Sequence, residues 1–166
     1  MAHAIGLTVH TGWSACVVVA GSLARPQIIA NQIIHLLDDS ERFCFHMAAE
    51  MQRAAAEKWL AQARKKATAN AQRAFSALHS QSLVACAIVA KDGVPGDLDA
   101  VLASHPRLHT AEGCFYRDAL RDACPVPVRV IPPATLDPSK LGKLAPAPWG
   151  RDQKLATLAA FRILGA

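Results

Sequence analysis

Between Gln27 and Asp92 the 166-residue sequence contains neither glycine nor proline. Both residues interrupt regular secondary structure, glycine through its backbone freedom and proline through its missing N–H group. Their absence predicts long regular elements in the middle of the chain. Nine of the ten prolines lie between Pro95 and Pro148, so the later part is predicted to be more broken.

Several signatures that would assign a function or a location are also missing. There is no P-loop, no G-x-G-x-x-G and no G-x-S-x-G motif, so nucleotide kinase, dinucleotide-binding and hydrolase functions have no direct support. The five cysteines form no C-x-x-C pair, so they are expected to be small, reduced core residues and not zinc ligands. Reduced cysteines favour a cytoplasmic location. The apolar run Ala15 to Ala20 follows no lysine or arginine and is shorter than the about 20 residues of a membrane span. We therefore expect a soluble protein that is not exported and has no membrane partner.

The hydrophobic residues that are present, 52% of the sequence, suffice for the core of one domain spanning residues 1–166. Strand, tight turn and strand are predicted from Ile5 to Val19, with His10, Thr11 and Gly12 at the turn. A third strand is predicted at Gln27–Leu37, and the continuous apolar run Leu83–Ala90 suits a strand covered on both faces. The last strand, 126–131, lies between prolines and is expected near a sheet edge.

A long helical segment is predicted from Glu41 to Ser80, because twelve alanines lie in it. Asp38 and Glu41 have capping-box spacing at its start, and the sequence does not decide between one helix and two. His46 and Glu50, one turn apart, are interpreted as part of a helical ion-pair ladder. Three further helices are predicted at 98–104, 110–124 and 151–164. Without the short helix 98–104, the element order is β-β-β-α-β-α-β-α.

The net charge of +5 is concentrated in the long helix. Six basic residues and one acid lie between positions 53 and 73, and the basic residues are Arg53, Lys58, Arg64, Lys65, Lys66 and Arg73. Such a helix can neutralise phosphates, so these residues are candidates for nucleic-acid binding. The alternative is a solvated outer face, and the helix could also serve as a dimerisation arm.

A second group of chemically versatile residues lies at His105, His109 and Glu112, with Arg117 on the following helix. This spacing is typical of metal ligands, but Pro106 argues against one continuous helix from His105 to His109. A loop that leads into a helix is still suited to anions or catalytic groups. Capping by Thr110 with nearby acids is the simpler alternative for Glu112.

The element order and three local motifs resemble the ribonuclease H-like fold, especially its Holliday-junction resolvase branch. The sequence Val9-His10-Thr11-Gly12 looks like that family's first-strand Asp-x-Gly, with histidine in place of the acid. The segment Leu83 to Asp92 looks like its central fourth strand, and Trp149 to Ala156 resembles the opening of its last helix. The resemblance implies a mixed five-stranded sheet with helices on both faces.

The resemblance also implies a site. Nucleases of the family hold two magnesium ions between carboxylates from the first strand, the fourth strand and the last helix. His10, Asp92 and Asp152 match these positions and become the candidate catalytic and metal-binding residues, with Glu112 as a fourth metal ligand. Candidate ligand-binding residues are Thr11, Gly12, His105, His109, Glu112, Arg117 and Lys154. Histidine is a poor magnesium ligand, so His10 suits manganese, zinc or general-base chemistry, or it is only a turn residue bonded to the backbone.

Three functions follow from this sequence. The first is a ribonuclease H-like domain that binds nucleic acid or another anionic ligand without efficient two-metal catalysis. The second is a divergent nuclease or resolvase that uses His10, Asp92 and Asp152 with Mg²⁺ or Mn²⁺. The third is a protein-interaction module, such as a homodimer, formed through the long helix.

Overall fold

The computed structural model describes residues 1–78 and 82–165. Its strands are β1 (His3–His10), β2 (Trp13–Ser22), β3 (Arg25–His35), β4 (Leu83–Val89) and β5 (Val128–Ile131). Its helices are α1 (Cys44–Ala49), α2 (Arg53–Ser76), α3 (Leu98–Leu102), α4 (His105–Ala123) and α5 (Arg151–Leu164). Two short 3-10 turns, Pro133–Thr135 and Pro138–Lys140, lie in the proline-rich segment. No helix in these ranges is long and apolar enough to cross a membrane.

The strands form one sheet in the order β3-β2-β1-β4-β5. β2 is antiparallel to both β1 and β3, whereas β4 is parallel to both β1 and β5. This is the mixed five-stranded sheet that the resemblance implies, and the prediction is confirmed. β5 lies at the sheet edge, as the surrounding prolines predict.

Helices cover both faces of the sheet because the buried strands are apolar on both sides. On β1, Ile5 and Leu7 point into a core shared with α2 and α4, whereas Ala4 packs in the core formed by α5. Adjacent side chains of a strand point to opposite faces, so a continuous apolar run feeds both cores. The free cysteines contribute as predicted, since four of the five are buried. Burial raises the pKa of Cys16 to about 12 and makes its thiol inert.

The long helical segment consists of two helices, and it begins later than predicted. Asp38 does not start a helix; its carboxylate accepts a hydrogen bond of 2.7 Å from the Ser40 hydroxyl in a turn, and α1 begins at Cys44. The chain leaves helical geometry after Ala49 and resumes it at Arg53. No glycine or proline causes this break. It arises from tertiary packing, because α1 buries Cys44 and Phe45 in the core beside α4.

One face of α2 is apolar and buried. Its buried residues are Ala56, Ala63, Ala67, Ala71 and Phe75. α2 ends at Ser76, and the last part of the predicted helix, residues 79 and 80, lies outside the described residues. The apolar face of α2 is therefore used inside the protein, against α4 and β3.

Helix α5 lies directly against β1 at Gly6. A Cβ atom added to Gly6 would lie 1.8 Å from the carbonyl oxygen of Ala156, a distance that no real contact permits. Gly6 thus allows the helix backbone to reach the sheet, and Ala156 and Ala159, both fully buried, keep the interface thin. This contact fixes the position of the first residues of α5 relative to the end of β1.

We expect Gly6→Ala to destabilise the protein by more than about 3 kcal/mol, because α5 must move off the sheet. Gly113→Ala is the matched control: a Cβ there has nothing within 4 Å, and the residue lies within α4. It should stabilise by about 0.5–1 kcal/mol, the helix-propensity gain. Urea denaturation of the three proteins measures both effects. Equal stability of Gly6→Ala and the native protein would contradict the packing described.

Candidate functional site

A cleft of about 570 Å³ opens where the carboxyl ends of β1 and β4 meet the first turn of α5. These strands are adjacent and parallel, so their ends form one edge, the usual location of ligand sites in α/β sheets. The polar and charged residues lining it are Thr8, His10, Lys91, Asp92, His109, Thr110, Arg151 and Asp152. The cleft therefore brings together the three candidate catalytic residues His10, Asp92 and Asp152.

His10 and Asp152 are in direct contact. Nε2 of His10 lies 3.0 Å from Oδ1 of Asp152, and the two side chains are 39% and 32% exposed. Nε2 makes no hydrogen bond of acceptable geometry within residues 1–78 and 82–165, so the contact is an ion pair when the imidazole is protonated. The imidazole also stacks on Trp13, with ring centroids 4.1 Å apart. His10 thus faces a carboxylate, which differs from the alternative that it is only bonded to backbone.

Each member of this pair is positioned by its own element. Asp152 is the second residue of α5, where the helix dipole favours a negative charge. The start of α5 is fixed by Gln153, whose side-chain oxygen accepts a 2.8 Å hydrogen bond from the Gly150 N–H. His10 is the last residue of β1, and it lies two residues beyond Thr8 on the face toward α5.

The turn after His10 has a structural role. Gly12 has a φ of +88°, and its carbonyl accepts hydrogen bonds from the Leu36 and Leu37 N–H groups at 2.8 and 3.2 Å. A Cβ on Gly12 would lie 2.6 Å from the Cβ of Arg42, so glycine is required for both conformation and space. Thr11 and Gly12, predicted to bind a ligand, form this turn and do not line the cleft.

Arg117 supports the loop that carries Asp92 and does not itself line the cleft. The residue is only 8% exposed. Its guanidinium donates to the carbonyls of Lys91 and Gly93 at 3.4 and 3.1 Å, and it pairs with Asp118 at 2.9 Å. The hydrogen bond to Asp118 is the main cause that raises the Arg117 pKa. Arg117 therefore acts by holding the backbone on either side of Asp92.

Glu112, the proposed fourth metal ligand, does not join His10, Asp92 and Asp152. It is 1% exposed and its Oε1 lies 2.9 Å from Nδ1 of His46. The predicted ion-pair ladder with His46 and Glu50 is wrong. α1 ends before Glu50, and the His46 side chain contacts Glu112 of α4. Lys154, another candidate, also lies outside the cleft lining.

His105 and His109 lie on one continuous helix, contrary to the prediction from Pro106. Pro106 is the second residue of α4, a position where a backbone N–H group would have no acceptor within the helix. Proline therefore does not interrupt the helix there. The two imidazoles are therefore one turn apart on the same face, with Nε2 atoms 3.1 Å apart. Of the two, His109 also lines the cleft.

Most of the basic residues of α2 are engaged within the protein. Their partners are Glu57 and Asp99 for Arg53, Asp122 for Arg64, Asp38 and Glu41 for Lys66, and the Asn70 amide for Arg73. Lys58 and Lys65 have no ion-pair partner in the described part of the chain. Nucleic-acid binding by these six residues stays a prediction.

The donor set of the cleft does not suit two magnesium ions. Magnesium prefers oxygen ligands in octahedral geometry, and a two-metal site needs carboxylates that bridge or flank both ions. The cleft offers Asp92 and Asp152, and the contact of Asp152 with the His10 imidazole occupies part of its binding capacity. The third position holds a nitrogen donor in place of a carboxylate.

No sequence profile of a protein family matches this chain, and no curated protein matches it. Solved structures share its fold. "T. thermophilus RuvC in complex with Holliday junction substrate" aligns with a TM-score of 0.57 and 12% identity, over 99% of this chain and 95% of that one. A second, "Thermus thermophilus RuvC structure", gives 0.50 and 15% over 98% and 96%. At such low identity the likeness establishes the fold alone, and the predicted ribonuclease H-like fold is confirmed.

Several residues of the site escaped sequence analysis. Thr8 lies on the same strand face as His10, so strand alternation could have identified it. Arg151 directly precedes Asp152 at the start of α5, so that position could have identified it. Lys91 directly precedes Asp92 and could have been found the same way. His46 carried no such signal, because its partner Glu112 is 66 residues away.

We expect Arg117→Met to loosen the loop around Asp92, because methionine keeps much of the packing and removes every donor. The loss of charged hydrogen bonds should cost about 1.5–3 kcal/mol and speed amide exchange in segment 91–93. Arg121→Met is the control, since Arg121 pairs with Asp118 at the surface, at 3.3 Å. It should change stability by less than about 1 kcal/mol. Unchanged exchange in the Arg117→Met protein would show that Arg117 does not hold the loop.

Proposed function

We propose that the protein binds nucleic acid in the cleft and that it lacks efficient two-metal cleavage. The observation that carries this proposal is the position of the His10–Asp152 contact, at the carboxyl edge of β1 and at the start of α5. This is where an α/β sheet presents ligand-binding groups. A histidine stands there in place of the first carboxylate of the nucleases that the sequence resembles.

Charge and helix geometry support an anionic ligand. Lys91 and Arg151 line the cleft, and the N–H groups in the first turn of α5 have no intrahelical acceptors. The net charge of +5 favours encounter with a polyanion. The aligned structure of T. thermophilus RuvC is described as a complex with a Holliday junction substrate, which makes branched DNA the first ligand to test.

Metal-dependent cleavage is the second candidate function. It is favoured by one observation, the convergence of His10, Asp92 and Asp152 on the same cleft. A nitrogen donor beside carboxylates suits Mn²⁺ better than Mg²⁺. Cleavage with Mn²⁺ is therefore the result that would favour this alternative.

An interaction module built on α2 has less support. The apolar side of that helix is buried in its own core, as Ala63, Ala67 and Ala71 show. The solvent side of α2 carries charged residues, several of them ion-paired, among alanines and glutamines. We also infer a reducing location such as the cytoplasm, since all five cysteines are free.

We expect the protein to bind a labelled four-way DNA junction with an affinity that falls steeply with salt. In the double variant Lys91→Ala and Arg151→Ala, the slope of log affinity against log salt should drop by about 0.9 for each lost phosphate contact on duplex DNA. Fluorescence anisotropy over about 50–200 mM salt covers the range in which such contacts are lost. The junction should remain intact with either Mg²⁺ or Mn²⁺ present.

The matched control is the double variant Lys58→Ala and Lys65→Ala, which removes the same charge from α2. A slope reduced only in that variant would place binding on α2 and contradict the cleft. Cleavage that disappears in His10→Ala or Asp152→Asn would contradict the absence of catalysis and establish the alternative.

A further inference from the structure

Three imidazoles from two helices converge beside the cleft. His105 and His109 come from the first turns of α4 and His46 comes from α1. Their ring centroids lie 4.7 to 5.2 Å apart, and one potential ligand atom from each lies within 4.8 Å of the others. We propose that these three histidines bind a zinc ion, a site separate from His10, Asp92 and Asp152.

The distances suit a tetrahedral ion. With Zn–N bonds of 2.0–2.1 Å, two ligand nitrogens of a tetrahedral site stand about 3.3 Å apart. Nε2 of His105 and Nε2 of His109 are already 3.1 Å apart. His46 closes the remaining gap, at most about 1.5 Å relative to the tetrahedral separation, by rotation of its side chain. Three neutral imidazoles without an oxygen donor favour zinc over magnesium or calcium.

Glu112 supplies an independent indication. This carboxylate is 1% exposed, contacts Nδ1 of His46 at 2.9 Å, and its Oε2 has no hydrogen-bond partner in residues 1–78 and 82–165. A buried carboxylate needs compensating positive charge. Histidines that bind metals commonly donate their other N–H to a carboxylate, which fixes the tautomer. With Nδ1 on Glu112, Nε2 of His46 is left for the ion.

The sequence of α4 builds this arrangement. His105, His109 and Glu112 are spaced by four and three residues, so all three lie on one face of the helix. Two of them supply ligands and the third orients the ligand from α1. His105 and His109 are exposed, so the fourth coordination position is open to solvent, as in zinc sites that bind water or a substrate. Because His109 also lines the cleft, the ion lies at its margin.

Titration of the full-length protein with Co²⁺ and Zn²⁺ tests the site. We expect one Co²⁺ per chain with the visible absorption of tetrahedral nitrogen coordination and without sulfur charge-transfer bands, and displacement by one Zn²⁺. His46→Ala, His105→Ala and His109→Ala should each abolish stoichiometric binding. Glu112→Gln should weaken it by about 10- to 100-fold while the fold persists.

His35→Ala is the control variant, because His35 is an exposed imidazole at the end of β3, and His10→Ala separates this site from the cleft pair. Both should bind Zn²⁺ like the native protein. Since His105 and His109 are exposed, circular dichroism should show their variants folded. No stoichiometric binding, a sulfur charge-transfer band, or binding lost in His10→Ala and kept in His105→Ala would overturn the proposal.

Discussion

Helix α5 rests on strand β1 without an intervening side chain, because Gly6 leaves room for the carbonyl of Ala156. The first turn of α5 therefore reaches the carboxyl end of β1, and the carboxylate of Asp152 meets the imidazole of His10. A larger residue at position 6 would lift the helix and separate the pair. The geometry of the cleft thus depends on Gly6, which lies four residues before His10 and does not line the cleft.

The other wall of the cleft depends on helix α4. Arg117 and Cys114 both bond to the carbonyl of Gly93, which holds the loop carrying Asp92. The first turns of the same helix present His105 and His109, and its buried Glu112 orients His46. One helix therefore supports the cleft with its central residues and forms the histidine cluster with its first turns. A change in the position of α4 would alter both sites.

Local sequence patterns correctly predicted those elements whose structure is determined by residues close together in the sequence. The apolar run of β4, the alanine-rich helix α2 and the start of α5 at Arg151 are of this kind. The mixed five-stranded sheet was expected from the family resemblance, because local sequence patterns do not show which strands pair with each other. Pro106 was misleading because proline is tolerated in a first turn. The break before Arg53 and the contact of His46 with Glu112 arise from packing between distant segments, which periodicity does not encode.

Nucleic acid is proposed to enter the cleft between β1, β4 and α5. Amide chemical shifts of ¹⁵N-labelled protein, followed while a four-way DNA junction is added, locate the binding surface. The largest changes should fall in residues 8–10, 91–93 and 151–152, because these residues line the cleft. Changes confined to α2, with those three segments unaffected, would contradict the proposal.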